Sequence, residues 1–388
     1  MKQSKYGLLA LMAIAISGIV WIWSLATVAS QPTVKIQTEP PLEQVIPDDT
    51  VVKFQLRAID SSQQPFNQAS VGVRILTPAP TPWFTSDFPM VEGRELLKLE
   101  AIAPQGNLEF EQVLPIRGNY TIEVAVNPEV AGAFEPFEES LTVKVPENAV
   151  KYRNLAILAL ILLTVGFGSG WILGGDRTVS EGEIAPGPVR MLLSGMTVVA
   201  IAALLIVNVS AEIAEAGSHK HIGEITSFTP AMEKNEAIQV ELSGDRQAVV
   251  GKLTTQTVKI TNPTTGDPIT DVQVSLQSVA VESDALMFAY KARPDSNGQF
   301  TWEEQFFDGA PHSVTATVMP LDNSSQEFTP LKVSHEIEVE GIAPPLSVRF
   351  ISLLYFTLIF VVGLSAGFWI RKSVNNVNPS LNQDFTKF

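Results

Sequence analysis

The chain has 388 residues, no cysteine, and 41 acidic against 26 basic side chains, for a net charge of −15. The lack of cysteine excludes disulfides, thiolate metal centres and a cysteine nucleophile, so any domain outside the cytoplasm must be held by its core. The charge is partitioned, with −9 in residues 31–150, −12 in residues 211–345 and +6 in the remainder; acidic domains of this kind argue against nucleic acid or anionic lipid as partners.

Residues 1–30 hold an apolar run, Gly7–Ala29, long enough to cross a bilayer at about 20 residues per span. Lys2, Lys5 and the small residues Val28-Ala29-Ser30 also fit a cleaved signal peptide. The length of the run, with Trp21 and Trp23 suited to an interfacial aromatic belt, favours an uncleaved anchor. Residues 31–150 then change period. Val52, Phe54 and Leu56, Val71, Val73 and Ile75, Leu108 and Phe110, and Ile122, Val124 and Val126 alternate with polar neighbours. Such alternation between Pro, Gly and Asn turns predicts antiparallel strands and a first β-sandwich ectodomain. Thr77–Glu95, with four prolines and Trp83, reads as a long loop.

A second span, Asn154–Gly175, falls in residues 151–175, and residues 176–190 form a short cytoplasmic loop. Met191–Ala211 is a third span, residues 212–345 a second β-sandwich, Phe350–Ile370 a fourth span within residues 346–371, and residues 372–388 a cytoplasmic tail. None of the four spans contains Asp, Glu, Lys, Arg or His, which argues against a proton-coupled pump and against chemistry in the membrane. Lys2, Lys5, Arg177, Arg190, Arg371 and Lys372 flank the terminal face; Lys151, Arg153 and Arg349 flank the other. By the positive-inside tendency both termini are cytoplasmic and both large segments face outward, as expected for a plasma or inner membrane protein with periplasmic domains.

The order of span, β-segment, span is thus written twice. At an offset of 192, Gly106–Pro128 lies over Gly298–Pro320 without a gap, keeping Gly106/Gly298, Glu111/Glu303, Val126/Val318 and Pro128/Pro320. Gly166 and Gly170 in span two match Gly363 and Gly367 in span four, and glycines four apart let another helix backbone approach closely. That contact would join the two spans within the chain or join two chains.

All four histidines, His219, His221, His312 and His335, fall in the second ectodomain or its linker. His219, His221 and His312 are the candidate metal ligands, and imidazole without thiolate would suit Cu, Ni or Zn. A hairpin across 320–330 would set His312 opposite Val339 and His335 opposite Ala316, roughly 13 Å apart along the sheet, which one ion cannot bridge. His312 also stands where the first copy has Tyr120. Phosphate-loop, dinucleotide, zinc-hydrolase and nucleophile-elbow motifs are absent, so no enzyme and no catalytic residues are expected. Asp295–Gly298 reads as a turn, since the closing Glu of a calcium loop is replaced by Phe306.

The run Val51–Ile59, Pro65, Val71–Ile75, Gly106, Phe110 and Gly118–Val126, and its counterpart Val258–Ile260, Pro268, Val272–Leu276, Gly298–Trp302 and Asp308–Val318, resembles FixH/YtkA-type extracytoplasmic sandwich domains. The resemblance implies an association with cation handling and membrane redox assembly. The chain departs from that type in having two domains and four spans.

The expected fold is therefore two tandem all-β, Ig-like sandwiches with four transmembrane helices. The expected role is non-enzymatic binding of a protein or envelope partner through Trp83 and Phe84, because exposed aromatics commonly anchor interfaces; the competing expectation is that Trp83 plugs the sandwich end. Metal binding or delivery, and an accessory role in a transport complex, are the alternatives.

Overall fold

The computed structural model of the chain describes residues 32–66, 68–81, 83, 85–175, 182, 184–197, 230–321 and 328–377. The expected first span, most of the third, His219, His221 and Phe84 lie outside these residues.

The first half supplies β1 (Thr33–Glu39), β2 (Val51–Ile59), β3 (Ala69–Leu76), β4 (Glu95–Ala103), β5 (Asn107–Val113), β6 (Gly118–Pro128) and β7 (Phe137–Val145), then helix α1 (Ala149–Leu173). A helical segment α2 covers residues 187–197. The second half supplies β8 (Ala231–Lys234), β9 (Gln239–Gly244), β10 (Gln247–Val249), β11 (Leu253–Thr261), β12 (Val272–Ala280), β13 (Ala285–Ala292), β14 (Gln299–Gln305), β15 (His312–Pro320) and β16 (Leu331–Glu340), then helix α3 (Leu346–Val377).

The period-two pattern becomes burial directly. Ala69, Val71, Val73 and Ile75 of β3 and Tyr120, Ile122, Val124 and Val126 of β6 all point inward, as do Val314, Ala316 and Val318 of β15. At about 25 cal/mol per Å² of apolar surface, each large side chain among them contributes roughly 1.5–3 kcal/mol against the entropy of ordering the chain. Turns fall where expected. Asp295 N–H donates to Gln299 O (2.7 Å), Gly298 N–H donates to Asp295 O (2.9 Å), and Gly298 takes φ +71°. Pro65 and Pro268 make matching isolated bridges to Ile59 and Thr261.

The described strands form two sheets of eight. One runs β1-β2-β5-β13-β12-β15-β16-β10 and the other β7-β6-β3-β4-β14-β11-β9-β8. Both sheets therefore pass through both halves. The expected pair of separate sandwiches is one continuous sandwich, joined twice. Phe110, Glu111 and Gln112 of β5 pair with Tyr290, Ala289 and Phe288 of β13. Trp302, Glu303 and Glu304 of β14 pair with Leu99, Lys98 and Leu97 of β4. At the 192 offset β5 corresponds to β14, so each half donates the same strand to the other's sheet: the joint is reciprocal.

The helices follow the same scheme. A Cβ on Gly166 or Gly170 would overlap the backbone at Phe360 or Leu364, and one on Gly363 or Gly367 would overlap Leu163 or Phe167. The glycine pairs thus meet within the chain, between α1 and α3, where small residues allow near backbone contact. Both helices, over Ala149–Leu173 and Leu346–Val374, are long and apolar enough to cross a membrane.

Candidate functional site

Each junction holds for only three residue pairs. Beyond them, at the end away from the helices, the strands part. β4 and β14 diverge after Leu99 and Trp302, opening a cleft of about 1040 Å³ lined by Lys98, Glu100, Ile102, Arg293, Asp295 and Thr301 among others. β5 and β13 diverge after Phe110 and Tyr290, opening a second cleft of about 450 Å³. Ile102 and Arg293 line both. Gly72 lines the floor of the larger cleft without a side chain, and the Ala125 methyl is 3.7 Å from where its Cβ would stand.

Inside the larger cleft, residues 100–103 of β4 and 299–301 of β14 have no ladder partner across the gap. Exposed strand edges carry backbone donors and acceptors that another extended chain can complete. The cleft walls are charged. Arg74 donates to Glu95 and, at 2.9 Å, to Glu123, while Lys98 donates to Glu303 at 2.8 Å. Glu100, Glu138 and Asp295 add further acid, leaving the lining more acidic than basic.

The histidines sit elsewhere. His312 is 1% exposed. Its Nδ1 lies 2.8 Å from Ala310 O, its Nε2 lies 3.5 Å from Asp308, and its ring packs on Phe306 at 4.4 Å. Burial holds its pKa below the usual histidine value, with Asp308 and the Ala310 carbonyl opposing. Tyr120, its counterpart in the first half, does the same work: its hydroxyl donates to Ile116 O at 2.6 Å and accepts from Ile116 N–H at 3.0 Å. Each aromatic ties down the turn that precedes its strand. The expected 13 Å separation is also revised. His312 is opposite Ile337 and His335 is opposite Val314, so they are diagonal neighbours roughly 7 Å apart on one face. Burial, then Arg246, pushes His335 down to about 4. Among the described residues no three His, Asp or Glu side chains converge as metal ligands do.

Trp83 is 61% exposed and does not plug the sandwich. Val91 (fully buried) and Phe88, packed on Phe307 at 5.2 Å, fill that position. The loop runs beneath the joint to the helices: the Trp83 carbonyl accepts from Tyr355 Oη of α3 at 2.8 Å, and Asp87 pairs with Lys151 of α1. Sequence reasoning missed two further features. One is the splitting junction, which no local pattern signals. The other is Glu304, 3% exposed in the core, whose carboxyl burial pushes up to about 7 while Trp302 and Ser278 oppose.

Fold and site together define a β-sandwich of two corresponding halves seated on a closely packed pair of apolar helices, with paired clefts at its far end. No family model matches the chain, and no curated protein matches it; the FixH/YtkA resemblance rests on strand and turn spacing alone. Among solved structures, the CARDB domain of the PF1109 protein from Pyrococcus furiosus, in complex with di-metal ions, is 15% identical, covering 30% of this chain and 99% of that one at a TM-score of 0.20. A copper-bound variant of FetP from uropathogenic Escherichia coli is 11% identical, covering 29% and 97% at 0.21. The Yersinia pseudotuberculosis adhesin InvE is 10% identical, covering 81% and 61% at 0.20. Likeness at this level transfers neither ligand nor role, and the fold rests on the strand pairing described above.

Proposed function

We propose that this chain is a non-enzymatic integral membrane protein, built by internal duplication, whose outward-facing sandwich binds an extended segment of a partner protein in its clefts. The observation that carries this reading is the pair of unpartnered edges, residues 100–103 and 299–301, facing one another across the larger cleft. An added strand would satisfy both edges with backbone hydrogen bonds, and flanking side chains would select its sequence. The acidic surplus of Glu100, Glu138 and Asp295 favours a basic segment. A transport-accessory role is the same reading with a polytopic partner. A metal-binding reading would rest on His219 and His221, since both ring nitrogens of His312 already face protein groups.

A photo-crosslinking residue placed at Ile102, with a control at exposed Ser62, tests the proposal in native membranes. A discrete protein adduct is expected from position 102 and not from 62, weakened by Glu100→Arg or Asp295→Arg. Equal labelling at both positions, or an adduct indifferent to both charge reversals, would sink the cleft as the binding surface.

A further inference from the structure

The loop between β3 and β4 exists only in the first half; its counterpart between β12 and β13 is the tight turn over residues 281–284. Three observations fix where the long version points. Its backbone is bonded to α3 through Tyr355, its Asp87 is paired with Lys151 in the first turn of α1, and Arg117 Nη2 donates to Thr85 O at 3.5 Å while Nη1 pairs with Glu147 at 2.5 Å. The loop therefore lies between the sandwich and the helices.

Depth follows from helix geometry. Arg371, stacked on Trp171 at 5.1 Å, marks the inner end of the apolar stretch of α3. A hydrocarbon layer of about 30 Å measured from there ends roughly twenty residues away, near Ile351. Tyr355 falls just inside that boundary, about 9 Å along the helix from Arg349. A phenolic hydroxyl at that depth has little water to bond, and the Trp83 carbonyl supplies its acceptor. The exposed indole of Trp83 then stands near that level.

We infer that this loop is a lipid-contacting wedge: Trp83 rests at the boundary between headgroups and acyl chains of the outer leaflet, alongside α3. Indole suits that zone because its ring is apolar and its N–H is a donor. The contact needs no anionic lipid, in keeping with the acidic sandwich. It would fix the tilt of the sandwich over its helices and direct the clefts away from the membrane. The inference rests on the membrane-spanning reading of α1 and α3.

The cysteine-free chain permits a direct test. Full-length Trp83→Cys, Val361→Cys and Ser296→Cys proteins carry a nitroxide in phosphatidylcholine nanodiscs, and collision with oxygen is compared with collision with a water-soluble nickel chelate. Val361 lies on an exposed face in the middle of α3 and Ser296 in the far turn. The oxygen-to-nickel ratio at position 83 should exceed that at 296 several-fold and fall below that at 361. A water-like position 83 with a deep position 361 overturns the wedge and leaves the spanning helices standing, freeing Trp83 for a protein partner. Water-like values at all three overturn both. Thr85→Cys repeats the reading should the substitution at 83 disturb the loop.

Discussion

Replacing Glu304 by Gln should make stability less dependent on pH. Glu304 sits in the core of β14, opposite Leu97, at the place where the first half carries Gln112 on β5. Burial raises its pKa from 4.5 to about 7. A carboxyl whose folded pKa is raised stabilises fully below its unfolded value, and that contribution is lost as pH rises through the folded value. Between those limits the folded state binds more protons, so the slope of stability with pH is negative. The rise from 4.5 to about 7, at about 1.36 kcal/mol per pH unit, gives roughly 3 kcal/mol lost between about pH 4 and pH 8. Gln cannot ionise and has nearly the same shape, and the first half already tolerates it with Gln112 Nε2–H donating to Val113 O at 3.1 Å. The assay is thermal unfolding of the full chain and of Glu304→Gln across that range. The difference between the two cancels every other titrating group, including His335, which acts with the opposite sign. At about 2–4 °C per kcal/mol for a unit of this size, the variant should gain roughly 6–12 °C on wild type from about pH 4 to pH 8. A constant difference would show that Glu304 is not desolvated in the folded state, and the core assignment would fail.

The packing sets three other expected outcomes. Gly170→Ile should lower the melting temperature of the full chain, because its Cβ meets the α3 backbone, by an overpacking cost of about 1–3 kcal/mol. Gly168→Ile, with open space at its Cβ, is the control, and equal losses would contradict the close approach of α1 and α3. Gly251→Ala should destabilise by about 1–2 kcal/mol or more, since φ is +82° and the new Cβ would lie 2.5 Å from Met90 O; a neutral result in the same melting assay would mean the β3–β4 loop does not cross onto the second half. Residues 32–175 expressed alone, with the edges of β4 and β5 that meet the second half left open, should form a homodimer in mild detergent by light scattering. Lys98 would there face Glu111 of the other copy as it now faces Glu303, so Lys98→Glu should return it to a monomer, and a monomeric parent protein would refute the reciprocal joint.

Much of this fold is legible locally. Alternation in β3, β6 and β15, the Asn297-Gly298 turn and the two glycine pairs each depend on a short stretch of chain, so their residues identify them directly. The edges that pair do not. Every strand edge offers the same N–H and C=O groups, and alternation says only which face is buried. Whether β5 joins β13 or stays at the rim of its own sandwich is decided by contacts almost two hundred residues apart, and the clefts exist only because of that choice.

The histidines illustrate the same limit. Alternation puts His312 and His335 on the correct strands and on inward faces, but the hairpin expectation displaces their opposition by two residues. A slip of two keeps every side chain on its face, so the hydrophobic pattern cannot detect it. Trp83 is legible as an unusual aromatic in a proline-rich loop, whereas its orientation toward α3 requires the Tyr355 hydrogen bond. By itself the sequence determined periodicity, apolar length, turn chemistry and the absence of thiols, because each is a property of neighbours along the chain. Tertiary structure alone decided the continuous sheets, the split junction, the buried carboxyl and the descent of the loop, because those depend on which distant surfaces exclude water from one another.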